Sequence, residues 1–219
     1  MKRGIFIEYQ IVNKLADKSI SKEELLREVK QNLNLLPEVL YGLNSSKAAI
    51  RYGCGKVLAD LSEAIPDTLY PHIDFFIRLL DSNHRILTWN AMAIIANLTK
   101  VDTENRFDLE FDKYYSFLND EYMVTVANVV ANSAKIALAK PYLIERITQE
   151  LLKVENTSIT PHLTEECKRV ISEKTIKFFE QFFEKIQQKE RVLSFVTNHV
   201  NSPRKTLKKS AEKFLTKFK

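Results

Sequence analysis

The side chains best able to do chemistry are few and scattered. The four histidines, His72, His84, His162 and His199, share no metal-ligand spacing, so no metal site is expected. The two cysteines, Cys54 and Cys167, stand far apart and form no legible Cys–His arrangement. Cys54 lies between Gly53 and Gly55 and reads as a small buried residue at a close helix contact. Asp102, Glu104 and Asn105 crowd oxygen ligands together, but without the glycine and spacing of a calcium loop. Phe178, Phe179, Phe182 and Phe183 pair at helical spacing, which is the pattern of a core stripe. No catalytic residue and no cofactor is expected, and the chain reads as a non-enzyme.

Two groups of residues suit binding instead. Trp89 is the only tryptophan, and Asn90 and Asn97 follow it in one apolar segment, with Asn128 and Asn132 in the next. Asparagine is a poor mid-helix residue, so four in two segments need a reason. On an open face, with Arg51, their amides would pair with the backbone of an extended segment, and Trp89 would form an apolar shelf. Between stacked helices they would satisfy one another, which is the commoner fate of a buried amide. The second group is basic. Residues 203–219 hold seven cations, among them Arg204, Lys205, Lys208, Lys209 and Lys213, against Glu212 alone. That segment carries +6 of a total of +5, leaving −1 for residues 1–202. Leu207, Ala211, Phe214, Leu215 and Phe218 give it an apolar face. It is either a solvated last helix docked on its neighbour, or a site for phosphates, anionic lipid or an acidic protein.

The elements that position these residues are helices. The 219 residues include 4 Gly and 6 Pro, too few turn formers for an all-β fold, and 45% are hydrophobic, enough for a continuous core. Helix content above roughly 60% and no sheet are expected. Four phrases recur: Leu43-Asn44-Ser45-Ser46, Leu80-Asp81-Ser82-Asn83, Leu118-Asn119-Asp120-Glu121 and Val200-Asn201-Ser202-Pro203. The first three openings are 37 and 38 residues apart; the last gap, 82, has room for a degenerate copy within 154–166. In each phrase an apolar residue closes one helix, and the Asn, Asp or Ser oxygens are placed to cap the next. The spacing predicts helices over 4–17 and 22–33, with a capping box at Ser21 and Glu24. It then predicts the pairs 36–43 with 46–64, 68–80 with 83–99, 106–118 with 121–139, 141–153 with 164–187, and 189–200 with 203–218.

Seven residues into each repeat stands a core-facing position, followed by a cation in Ile50-Arg51 and Leu207-Lys208. This pattern resembles HEAT repeats, and the spacing resembles HEAT and armadillo arrays generally. The resemblance implies an all-α, right-handed superhelical solenoid of about five repeats over 35–219 with a helical cap over 1–34, read as one domain, 1–219. It implies a non-catalytic scaffold that holds a protein or peptide on a concave face built from the second helices. Armadillo solenoids such as the nuclear import receptors place a Trp with an Asn four residues on; here that position is Ala93. Nucleic acid is the alternative partner, since the chain also resembles the all-α alkyl-base DNA glycosylases. Those pair a Trp with an acid one turn later, where this chain has Met92 and Ala93. The start, Met-Lys-Arg-Gly-Ile-Phe-Ile, is interrupted by Glu8, Gln10 and Asn13 before a signal-peptide core forms. No apolar run reaches membrane length, and a cytoplasmic location is expected. Oligomeric state is not legible.

Overall fold

The computed structural model describes residues 10–218. It is 78% helical, and the described residues form no strand beyond one isolated bridge, Thr160 with Leu163. The first predicted helix, 4–17, lies over 4–9 outside the described residues; within them it is the single turn α1 (Gln10–Asn13). The chain divides into two compact units, one reaching to Val101 and one starting at Asp102. Each is described by itself.

In the first unit, α2 (Lys22–Gln31) and α3 (Leu36–Gly42) lead to α4 (Ala48–Ala64). The short α5 (Pro66–Leu69) and α6 (Ile73–Leu79) precede α7 (Arg85–Leu98). The capping box is present: Glu24 N–H donates to Ser21 Oγ at 3.1 Å, and Ser21 N–H to Glu24 Oε2 at 2.8 Å. Buried Glu38 serves α1 in the same way, accepting from the Ile11 and Val12 amides at 2.7 and 3.0 Å. Helix α4 packs between α2 and α7. Gly42 lets α3 come close to α4, since a Cβ there would collide with the Cys54 thiol. Burial pushes that thiol up to about 12, so Cys54 is an inert packing residue.

In the second unit the pairs are α8 (Arg106–Ser116) with α9 (Met123–Ala139), α10 (Ile144–Leu152) with α11 (Glu165–Phe182), and α12 (Lys189–Thr197) with α13 (Lys205–Phe218). The second helices lie side by side, α11 between α9 and α13. The core is aromatic: Phe107, Phe111, Tyr114 and Tyr115 under α9, and the Phe178–Phe183 stripe with Phe195 and Phe214 farther on.

The repeated turn works differently from the expected cap. Ser45, Ser82, Asp120 and Ser202 each accept from the N–H two residues on, at 3.2, 3.1, 2.8 and 3.2 Å. That N–H belongs to the residue just before the helix, and the oxygens do not reach the helix's own first amides. Thr160 makes the same bond to His162 at 3.1 Å, which fixes the degenerate fourth copy. There the helix starts two residues later, and Thr164 supplies a true cap to Cys167. The extra residues fold back on the preceding turn: Thr160 donates to the Glu121 carbonyl at 2.6 Å, and His162 stacks on Tyr122.

Candidate functional site

Counting from the first residue of each second helix places the candidate residues in register. Asn90 and Asn128 both stand five residues past the helix start, Arg85 or Met123. Ile86 and Val124 match one residue past it, Trp89 and Ala127 four, Ala93 and Ala131 eight. Arg51 is three past Ala48, which is the register of Thr88 and not of the asparagines.

Of the six predicted face residues, Asn97 and Asn132 are buried and the other four half-buried. Arg51 bends back to its own turn, donating from Nη1 to the Ser45 and Ser46 carbonyls at 2.7 and 3.3 Å and lying over the Tyr52 ring. Thr88 makes the equivalent bond to the Ser82 carbonyl at 3.4 Å. Asn97 is 2% exposed and donates to Ser62 Oγ at 2.9 Å, joining α7 to α4. Asn132 is likewise buried and hydrogen-bonds the Tyr114 hydroxyl, whose phenol burial pushes well above its ordinary range. These three side chains hold the fold together. Trp89, Asn90 and Asn128 are half-buried on the solvent side. Asn128 donates to the Val124 carbonyl of its own helix at 2.8 Å. The Asn90 amide sits over Gly55, where any Cβ would strike it, and its Nδ2 is buried without a partner.

In each unit the second helices also present apolar side chains. Ile86 is 40%, Val124 44% and Leu138 62% exposed, and Ala131 is exposed between the last two. Neither α7 nor α9 contains a carboxylate. On the same side of the first unit a groove of about 590 Å³ is lined by Ala49 and Tyr52 of α4, in the register of Ile86 and Trp89, with Leu15 and Ile20 opposite.

The basic helix α13 is tied to α11 by carboxylates. Arg204 bonds Glu166 at 2.5 Å and Glu173 at 3.2 Å, and Lys213 bonds Glu180 at 2.9 Å. Lys208 lies 3.8 Å from Glu212 of its own helix. Lys205 and Lys209 are exposed with no carboxylate partner among the described residues. Burial opposes ionisation of Glu173, yet hydrogen bonds from Thr206, Lys177 and Arg204 outweigh it and hold the carboxyl at about 2.

One polar cluster escaped sequence reasoning. Lys140 is 3% exposed, and its ammonium meets Asp102 at 3.1 Å, Asp108 at 2.8 Å, Asn105 Oδ1 at 2.8 Å and the Tyr142 hydroxyl at 2.9 Å. Asp102 also accepts from the Arg106 and Phe107 amides, capping α8. Burial works against the charged amine, but bonds to Asp108, Tyr142 and Asp102 win and raise its pKa. Every charge is answered within the cluster, so it is a structural pin. Its signal lies in the carboxylates and amide at 102, 105 and 108, which stand three residues apart at the start of α8. Among the described residues no group of three or more His, Cys, Asp or Glu side chains is placed to hold a metal ion. No helix there is long and apolar enough to cross a membrane.

No protein-family model matches the chain, and no curated protein matches it. Solved structures do. The designed armadillo repeat protein YIII(Dq)4CqI superposes with a TM-score of 0.63 at 17% identity, covering 95% of this chain and 90% of that one. A second, designed armadillo repeat protein YIII(Dq.V1)4CPAF in complex with peptide (KR)4, gives 0.59 at 14% identity over 96% and 91%. A further engineered protein gives 0.55 at 12% identity over 95% and 87%. At such identities the likeness is one of fold: this chain has the armadillo-type helical repeat architecture expected from its turn spacing.

Proposed function

We propose that this protein is a non-catalytic binding module that takes a protein segment on the solvent-facing stripe of its second helices. The observation that carries this reading is the repeated register: exposed Ile86 and Val124, Asn90 and Asn128, and the small Ala93 and Ala131 recur at equal positions in α7 and α9. A β-branched shelf and a flat alanine surface suit the side chains of an extended chain, and the amide oxygens of Asn90 and Asn128, whose nitrogens are turned inward, can accept from its backbone. Large apolar side chains left exposed on a regular stripe mark an interaction surface more often than chance. A designed protein of the same fold was solved holding the peptide (KR)4, which supports the use of this architecture for peptides.

The test is peptide selection by display on the full-length protein, followed by binding to variants. Ile86→Glu should abolish binding of peptides that engage the first unit, and Ala131→Glu binding of those that engage the second. Leu109→Glu, at a residue 79% exposed on the first helix of its pair, should leave it intact. The opposite pattern would move the binding surface to the first helices and end this reading.

A further inference from the structure

In the first unit the turns before α4 and α7 together line a cleft of about 350 Å³. Its polar groups include Arg51, Asn44, Ser46, Asn83 and His84, and no carboxylate lines it. Arg51 is held there by neutral partners. Its Nη1 donates to the Ser45 and Ser46 carbonyls, and its Nη2 reaches the Tyr52 hydroxyl at 3.3 Å. Its Nε is buried without a partner, and no carboxylate among the described residues pairs with the guanidinium. A half-buried cation fixed by neutral groups keeps its charge for an incoming anion.

The surroundings act in the same direction. Helices α4 and α7 both start at the cleft, and neither has a capping side chain or an acidic residue in its first turn. The positive ends of two helix dipoles are therefore uncompensated. His84 stands edge-on to Tyr52. Like Asn44, Ser46 and Asn83, it has no hydrogen-bond partner for its side chain among the described residues. The one acidic residue in the two turns, Asp81, is exposed and does not line the cleft. The second unit differs. Its cleft at the α12–α13 turn sets Glu155 and Glu165 among Lys168 and Arg169. Lys208, six residues past the Ser202 turn as Arg51 is six past Ser45, lies 3.8 Å from Glu212.

We infer that the first-unit cleft takes the phosphate of a phosphorylated serine or threonine on a bound protein segment. Arg51, His84, the Ser46 hydroxyl and the amides of Asn44 and Asn83 supply donors from both turns. They are more than the two oxygens of a carboxylate can use and suit the three terminal oxygens of a phosphate monoester. Tyr52, in contact with Arg51 and His84, also lines the groove on the solvent-facing side of α4. A segment on that side therefore passes beside the cleft. The inference rests on the binding-face reading above and names the chemistry of its occupant. Nucleic acid fits less well, because it needs a run of cations along its backbone. Helix α7 carries Arg85 alone, and Lys56 of α4 pairs with Asp60.

NMR titration of the isotope-labelled full-length chain tests this with five probes: N-acetyl-phosphoserine methylamide, its serine and glutamate counterparts, inorganic phosphate and oligothymidylate. The phosphoserine probe should bind best, with amide shifts gathered at Ser45, Ser46, Arg51, Ser82 and His84. The serine probe should shift none of them. Ser46→Asp puts a carboxylate in the cleft at a side chain outside the turn's own bonds. It should weaken the phosphoserine probe by roughly tenfold or more, as should Arg51→Gln. Circular dichroism should show both variants folded; if Arg51→Gln unfolds, Ser46→Asp decides. Equal binding of the glutamate probe would overturn the phosphate preference, and equal binding of inorganic phosphate would overturn the protein source. Shifts centred on α13, or unchanged in Ser46→Asp, would reduce the effect to general charge attraction and end the proposal. Oligothymidylate bound more tightly at the same amides would assign the cleft to nucleic acid instead. None of these failures touches the face reading, which stands or falls on the display-selected peptides and their response to Ile86→Glu.

Discussion

A buried amide costs free energy unless its N–H and C=O groups find partners, and Asn97 and Asn132 find theirs in Ser62 and Tyr114. Asn128, half-buried, is satisfied by the Val124 carbonyl one turn back in its own helix. Replacing Asn97 or Asn132 by Ala removes a buried inter-helix hydrogen bond and should cost roughly 1–3 kcal/mol each. Asn128→Ala breaks a local, water-replaceable bond and should stay within about 0.5 kcal/mol. Urea denaturation of the three variants separates these outcomes; an equal loss at Asn128 would make it a third pin and remove it from the face. The sequence marks all four asparagines as out of place but does not tell their depth. Asn97 and Lys135 share a register, yet the asparagine is buried against Ser62 while the lysine is half-buried. Arg51 was misleading about the stripe for a related reason. Its type suits a ligand, but its register puts the guanidinium over the carbonyls of its own turn, at the neighbouring cleft.

At the scale of elements, the turn phrases located nearly every helix pair, because a hydroxyl or carboxylate two residues before the last pre-helical residue is a local device and leaves a local trace. The fourth copy was placed only within 154–166, since Thr160 replaces the usual Ser or Asp and a longer loop delays the helix. What the phrases could not show is how one second helix neutralises the next. Glu166, Glu173 and Glu180 are seven residues apart on α11, and all three receive cations from the α13 segment. A composition count sees a basic tail where the fold has an inter-repeat ion-pair ladder. Glu173→Gln should cost roughly 1–2 kcal/mol at neutral pH, given its several charge-assisted bonds and its small exposure. The folded-state pKa of about 2 lies below the unfolded value near 4.3, so this stabilisation is present above the unfolded value and is lost as pH falls towards 2. The stability gap between wild type and Glu173→Gln should therefore be constant above about pH 5 and close between about pH 4 and 2. A gap that persists at the acid end would place the loss in packing and not in charge.

Over the whole molecule the expectation was one continuous domain, and the division near residue 101 left no mark in the sequence. The connecting stretch Asp102–Asn105 is as short and polar as the other turns. Each unit nevertheless buries its own core: Leu58, Leu61, Phe76 and Met92 in the first, and the aromatic groups of α8, α11 and α12 in the second. In repeat proteins stability is approximately a sum over repeats and nearest-neighbour contacts, so units can melt at different points. The chain carries a built-in probe for this, since Trp89, its sole tryptophan, lies in the first unit. The Lys140 cluster offers the matching perturbation in the second. Lys140→Met leaves buried Asp102 and half-buried Asp108 without their cation and should cost roughly 3 kcal/mol. In that variant the helical signal by circular dichroism should begin to fall at lower urea than Trp89 fluorescence, whereas the wild type shows closer midpoints. The early step should account for the helices of the second unit and leave the tryptophan environment native. Coincident transitions in the variant, both displaced by the same amount, would show that the two units unfold as one cooperative block and that damage at Lys140 is felt at Trp89.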